Sequence, residues 1–243
     1  MFSEALLTVD GFSSPRAWAF TLLGLNLYCP AYPRDRLAQR LRADLAARLI
    51  RLLRACESPE WVWFEDRLSY DNARLCEALI VTGQATGMDA LTEAGLRTLR
   101  WLMTIQTAPA GHFRPVGSQG FLLLSRSPPA SFDQQPVEAC ATIAACLAAQ
   151  AADPVPAWQD AARRAFNWFL GANDLAIPLV DLATGACRDG LHPDRANENR
   201  GAESVLAYLL ALTDMRRFEP PGQCRMATPL FGEARLLKPQ LAE

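Results

Sequence analysis

Apolar residues recur every three to four positions along most of this chain. The spacing predicts helices over about 16–28, 34–55, 71–86, 89–104, 135–151, 156–170 and 201–216. No stretch alternates apolar and polar residues for long enough to support a real sheet. Pro15 and Pro136 suit the first turns of the first and fifth segments, where φ is already right and the missing N–H has no helical partner to lose. Gly83 and Gly87 punctuate the link between the third and fourth segments, and Gly171 ends the sixth. The fold class is all-α.

The connections alternate in length. Residues 29–33, 87–88 and 152–155 are short links within helix pairs, whereas 56–70, 105–134 and 171–200 are long links between pairs. Helical hairpins joined by long loops, with those loops gathered on one face, are the plan of an α/α toroid. The first helices of successive pairs start near Arg16, Asp71, Gln135 and Ala202, a loose repeat of 55, 64 and 67 residues. Residues 138–149 are small and apolar almost all round, as an inner, closely approached helix requires. Seven arginines from Arg34 to Arg54 stud the leucine-rich second helix, which therefore belongs on the outside with a solvated face.

Composition narrows the functions. Half the residues are hydrophobic, enough for a large core, and the net charge of -2 provides no electrostatic footprint for nucleic acid or an anionic membrane. Lys238 is the lone lysine among 24 basic residues, so arginine richness reflects coding bias rather than function. Seven cysteines have no framework spacing, no signal pattern opens the chain, and no apolar run is long enough to span a bilayer. The expectation is a cytoplasmic protein with reduced thiols. Cys187 and His192 are five residues apart without further patterned ligands, so no metal and no cofactor are expected. Phosphate loops, serine elbows and dinucleotide fingerprints are missing.

The unusual polar residues fall in clusters just before or at predicted helix starts. Glu65 and Asp66 follow the aromatic run Trp61-Val62-Trp63-Phe64 and precede Tyr70-Asp71-Asn72. Apolar rings beside a carboxyl raise its pKa and fit it for general acid work; the same pair can simply favour a helix N-terminus. Trp61, Trp63 and Tyr70 offer faces for stacking on sugar rings, or belong to the core. Asp133, Gln134 and Gln135 precede Pro136, with Glu138 one turn into an otherwise small and apolar helix. Glu138 is expected to face a cavity, since the core would penalise its charge. Between 181 and 204 lie Asp189, His192, Arg195, Asn197, Asn199 and Glu203, a polar rim feeding an apolar helix. His112, in the Gly111–Pro115 loop, is a further hydroxyl contact.

Several of these segments together resemble a known family. They are Ser14-Pro15-Arg16-Ala17-Trp18, Trp63 to Leu75, Phe132 to Pro136, Trp168 to Asp174, and Asn197 to Ser204. Over residues 13–216 they are similar to a bacterial α/α-toroid domain of the six-hairpin glycosidase-like group, commonly found after a retaining glycosyltransferase domain. The resemblance implies carbohydrate metabolism, a carbohydrate ligand, and either a glycosyltransferase partner or a second copy of the chain. A closed ring of this type needs about twelve helices, so a partial or open toroid is expected over residues 1–217, followed by a Pro-rich tail over 218–243 anchored by Leu236-Leu237. As an enzyme the protein would be a glycoside hydrolase, inverting by preference. Glu65 or Asp66 would be the acid and Asp133 or Glu203 the base, with Trp61, Trp63, Tyr70, Asn72, His112, Gln134, Gln135, Glu138, Asp189, His192, Arg195, Asn197 and Asn199 lining the ligand site. The alternative is a non-catalytic glycan-binding or glycosyltransferase-associated module.

Overall fold

A computed structural model describes residues 2–125 and 128–218. The seven predicted helices are present, with ends shifted by three residues or fewer: α2 (Pro15–Ala31), α3 (Arg36–Cys56), α4 (Ala73–Thr86), α5 (Asp89–Ile105), α6 (Pro136–Ala152), α7 (Pro156–Phe169) and α8 (Ala202–Phe218). A short helix α1 (Phe2–Ala5), continuing into a 3-10 turn over Leu6–Gly11, precedes them and was not predicted. The longest sheet among the described residues is a two-residue antiparallel ladder between β1 (Arg67–Leu68) and β2 (Leu122–Leu123). Phe218, the first residue of the predicted tail, ends α8, and the rest of the tail, with Leu236-Leu237 and Cys224, lies outside the described residues.

Local chemistry accounts for the helix ends. Pro15, Pro136 and Pro156 open their helices. Asp35 caps α3 by accepting from the Ala38 N–H at 3.0 Å. Gly87 closes α4 at φ +67, a left-handed conformation that a glycine adopts without steric cost. α2 continues past its predicted end because Pro30 falls in the last turn, where it removes a single helical hydrogen bond.

Packing sorts the helices into two layers. α2, α4, α6 and α8 form an inner row in that order, each packed on the next, while α3, α5 and α7 pack outside α2, α4 and α6. The inner row collects the first helix of each hairpin, as its burial requires: Ala139, Ala141, Ile143, Ala145, Cys146 and Ala149 of α6 are all buried. On α3, Leu41, Leu45, Leu49 and Leu53 point inward at helical spacing while Arg36, Arg40, Arg51 and Arg54 stay exposed. The ends of the row, α2 and α8, do not pack extensively on each other. Phe20 and Leu27 of α2 and Leu206, Leu209 and Leu210 of α8 remain exposed. No described helix is long and apolar enough to cross a membrane.

α4 and α5 approach closely through two glycines. A Cβ on Gly95 would lie 2.8 Å from the Cys76 carbonyl oxygen and 2.9 Å from the Ile80 nitrogen, backbone atoms that cannot swing aside. Gly95→Ala is therefore expected to destabilise the fold by about 1–3 kcal/mol despite alanine's better helix propensity. Urea unfolding should show a lower midpoint with an unchanged slope.

Candidate functional site

Every long connection enters an inner helix at its N-terminal end, so three loops converge at one end of the inner row. They are joined edge to edge. β1 pairs with β2, Leu124 N–H donates to the Asp66 carbonyl at 2.8 Å, and Gln134 and Leu191 exchange two backbone hydrogen bonds of 3.0 Å. Gly190 is required at that last crossing, because a Cβ there would overlap the Gln134 carbonyl.

Beneath the loops sits a buried charge cluster. Arg16, 5% exposed at the start of α2, donates from Nε to the Tyr70 carbonyl at 2.7 Å and from Nη2 to Asn72 Oδ1 at 3.4 Å. Its Nη1 pairs with Glu65, and the guanidinium lies over the Tyr70 ring, 5.1 Å from the centroid. Glu138, 2% exposed in the first turn of α6, accepts from the Asp71 N–H, from Asn72 N–H at 3.4 Å and from Asn72 Nδ2 at 3.0 Å. One carboxylate from α6 thus holds the segment leading into α4.

Asp71 takes φ +50 within that segment. Its buried carboxyl lies 3.5 Å from Arg74 Nε, and Oδ1 accepts no hydrogen bond among the described residues. Burial lifts Asp71 to about 6 against the pull of Arg74 and Arg16, with Glu203 adding to the rise. Burial, together with the neighbouring Asp71 charge, lifts Glu138 to about 7. The two form a coupled acid pair that retains protons well above the usual carboxylate range. Arg74 also pairs with Glu77 at 2.7 Å and reaches Cys140 Sγ at 3.7 Å.

A second polar knot fastens the outer loops. Asp174 accepts from Arg114, from His112 Nε2 at 3.0 Å and from Gln134 Nε2. Gln134 Oε1 in turn accepts from the buried Trp168 Nε1 at 2.7 Å. Partial burial works to raise the Asp174 carboxyl, but the hydrogen bonds from Arg114, Gln134 and His112 outweigh it and hold the pKa below the ordinary value. Nearby, His192 Nδ1 and Asp133 Oδ1 lie 2.8 Å apart, and Gln119 Nε2 donates to Asp133 Oδ2 at 3.1 Å. Asp189 accepts from Gly201 N–H at 2.6 Å and from Asn199 at the entry to α8.

Several predicted site residues have other roles. Trp61 and Trp63 are buried and pack with Trp101, so they are core rather than sugar platforms. Asp66 points to solvent beside Arg67, whose hydrogen bond lowers its pKa, the opposite of what an acid catalyst needs. Glu65 is tied to Arg16. Glu138 faces the 71–72 backbone instead of a cavity, because its charge finds N–H donors there. Asn72 is a buried clamp, Gln134 is buried in the Asp174 knot, and His112 belongs to the same knot. Asn197 and Asn199 organise their own loop and Arg195 pairs with Asp194 at the surface. Tyr70, 52% exposed, and Glu203, exposed in the first turn of α8, remain accessible, with half-buried Gln135 at the entry to α6. Sequence reasoning passed over Asp71, Arg16, Arg74 and Asp174; Asp71 falls at a predicted helix start, and the one available signal of its positive φ is that Asp tolerates the left-handed region better than most residues. No group of three or more His, Cys, Asp or Glu among the described residues is placed to hold a metal ion. No protein-family model matches the chain, and a search of curated proteins finds no match.

Two outcomes follow from these geometries. Because the folded state holds extra protons on Asp71 and Glu138, stability should fall as pH rises from about 4, the unfolded carboxyl range, to about 7. Urea unfolding across that range should show a shallower decline in Glu138→Gln; a wild-type–mutant difference independent of pH would contradict the raised pKa. Asp174→Ala strands Arg114 and the buried Gln134 amide. It should cost about 3 kcal/mol and speed amide exchange in residues 112–119 and 131–135.

Proposed function

We propose that this protein is a carbohydrate-active domain of the six-hairpin glycosidase-like type that cleaves a glycosidic bond at the loop end of the inner helices. Asp71 is the proton donor and Glu203 the base that activates water. The observation that carries this reading is the state of Asp71, a buried carboxyl desolvated so that it keeps its proton to about pH 6, whose Oδ1 stands 3.5 Å from Arg74 Nε without a hydrogen bond, and Glu203 lies within electrostatic reach. A glycosidase acid must be protonated at working pH, and burial keeps the proton on Asp71. Tyr70, half exposed and backed by Arg16, supplies an aromatic face for a sugar ring. The resemblance of the Tyr70–Leu75, Phe132–Pro136 and Asn197–Ser204 segments to that family supports the substrate class.

In the proposed step the Asp71 proton passes to the glycosidic oxygen as the C–O bond breaks. Glu203 takes a proton from the attacking water, giving a product of inverted configuration when the carboxyls stand about 6.5–9.5 Å apart. The exposed apolar side chains at both ends of the inner row favour a partner there, a glycosyltransferase domain or a second copy.

One observation favours the alternative of a non-catalytic glycan-binding or glycosyltransferase-associated module: Glu65, Asp66, Asp133 and Glu138 all have their carboxylates engaged by partners. A glycan array followed by turnover assays on the glycans bound separates the readings. Catalysis predicts that Asp71→Asn lowers kcat at least about 100-fold with the fold intact, that activity declines above about pH 6, and that NMR detects the inverted anomer first. Binding without turnover, kept in Asp71→Asn and lost in Tyr70→Ala, would identify the module instead.

A further inference from the structure

Away from the loop end, a trough of about 330 Å3 lies between α3 and the turn joining α4 to α5. It opens because α3 packs chiefly on α2 and only lightly touches α4 and α5, so the outer helices splay apart. Ala46, Ala47 and Ile50 form its α3 wall, and Met88 and Leu91 face them. Ala46 and Leu91 are buried, whereas Met88 is 53% exposed although nothing polar requires it to be.

The charged residues lining this trough are two cations, Arg42 and Arg54, with no acid among the lining residues. Neighbouring arginines are neutralised: Arg40 and Arg48 approach Asp10, and Arg97 pairs with Glu57 at 2.6 Å. Neither Arg42 nor Arg54 has an acidic partner among the described residues. Arg42 is the half-buried one of the two, so its guanidinium is less screened by water and better able to hold an anion. The two lie twelve residues apart, about 18 Å along the helix, so a single headgroup engages one of them.

We propose that this trough binds an amphipathic monocarboxylate of medium chain length, with its apolar chain along the α3 alanines and its carboxylate on Arg42. An apolar floor of this volume with one convergent charge is the usual composition of a small-ligand site. The site is separate from the loop end of the inner helices, and its test is independent of any activity there.

Calorimetric titration of the full chain with octanoate and decanoate, below their micellar concentrations, tests the proposal. Binding should be saturable at one site, and decanoate should bind about fifteenfold more tightly, roughly fourfold per added methylene. Arg42→Gln should weaken decanoate about tenfold and Arg54→Gln much less. Ala47→Trp, a change at an exposed helix position, should fill the trough and abolish binding while leaving the melting transition in place. Absence of saturable binding, equal affinity for decanol, or undiminished binding by Ala47→Trp would overturn it. Self-association that Ala47→Trp abolishes would also overturn it, by identifying the trough as a contact between copies.

Discussion

The Glu138 carboxylate, reaching from the first turn of α6 to the backbone and side chain of residues 71–72, is the interaction on which the loop end of this protein depends. A buried charge is tolerated only where donors surround it, and the donors here come from the segment that starts the adjacent inner helix. The clamp therefore joins α6 to α4. Through Asn72 Oδ1, which accepts from Arg16 and from the Ser69 N–H, it extends to α2. Three of the four inner helices meet in one polar network.

That network also decides which acids remain available. A carboxylate already holding N–H donors or a guanidinium is poorly placed to move a proton, and Glu65 and Glu138 are both held in this way. Asp71 differs: its N–H is used by Glu138, while its carboxyl stands 3.5 Å from Arg74 Nε, longer than a good hydrogen bond, and within the field of Arg16. Burial beside the clamp thus accounts for its raised pKa. The Asp174 knot acts at longer range. By tying Arg114, His112 and Gln134 together it fixes the loop before α6, which carries Asp133, against the end of α7.

The two faces of the helical row have different physics. Inner helix α6 is lined with alanine and cysteine so that its neighbours can approach it, and the row ends in exposed leucine and phenylalanine because its terminal helices lack one neighbour each. In the outer layer α3 follows α2 and only lightly touches α4 and α5, and the wedge between α3 and the α4–α5 turn results.

What the sequence determined by itself was local and periodic. Apolar spacing placed seven helices, prolines and glycines marked their ends, and loop lengths predicted hairpins with the long connections on one face, because these features depend on neighbours within a few residues. The small-residue pattern of 138–149 correctly marked an inner helix. What only the tertiary structure decided was the direction in which each polar side chain points. Trp61 and Trp63 pass equally well for sugar platforms or core residues until Trp101, some 40 positions later, is seen packed against them. Glu138 was rightly marked as unusual, but its donors lie 66 and 67 residues earlier. Asp66 and Asp71 are five positions apart and look alike as carboxylates. Burial, which depends on residues brought together from α2, α4 and α6, leaves the first an ordinary surface acid and gives the second its raised pKa.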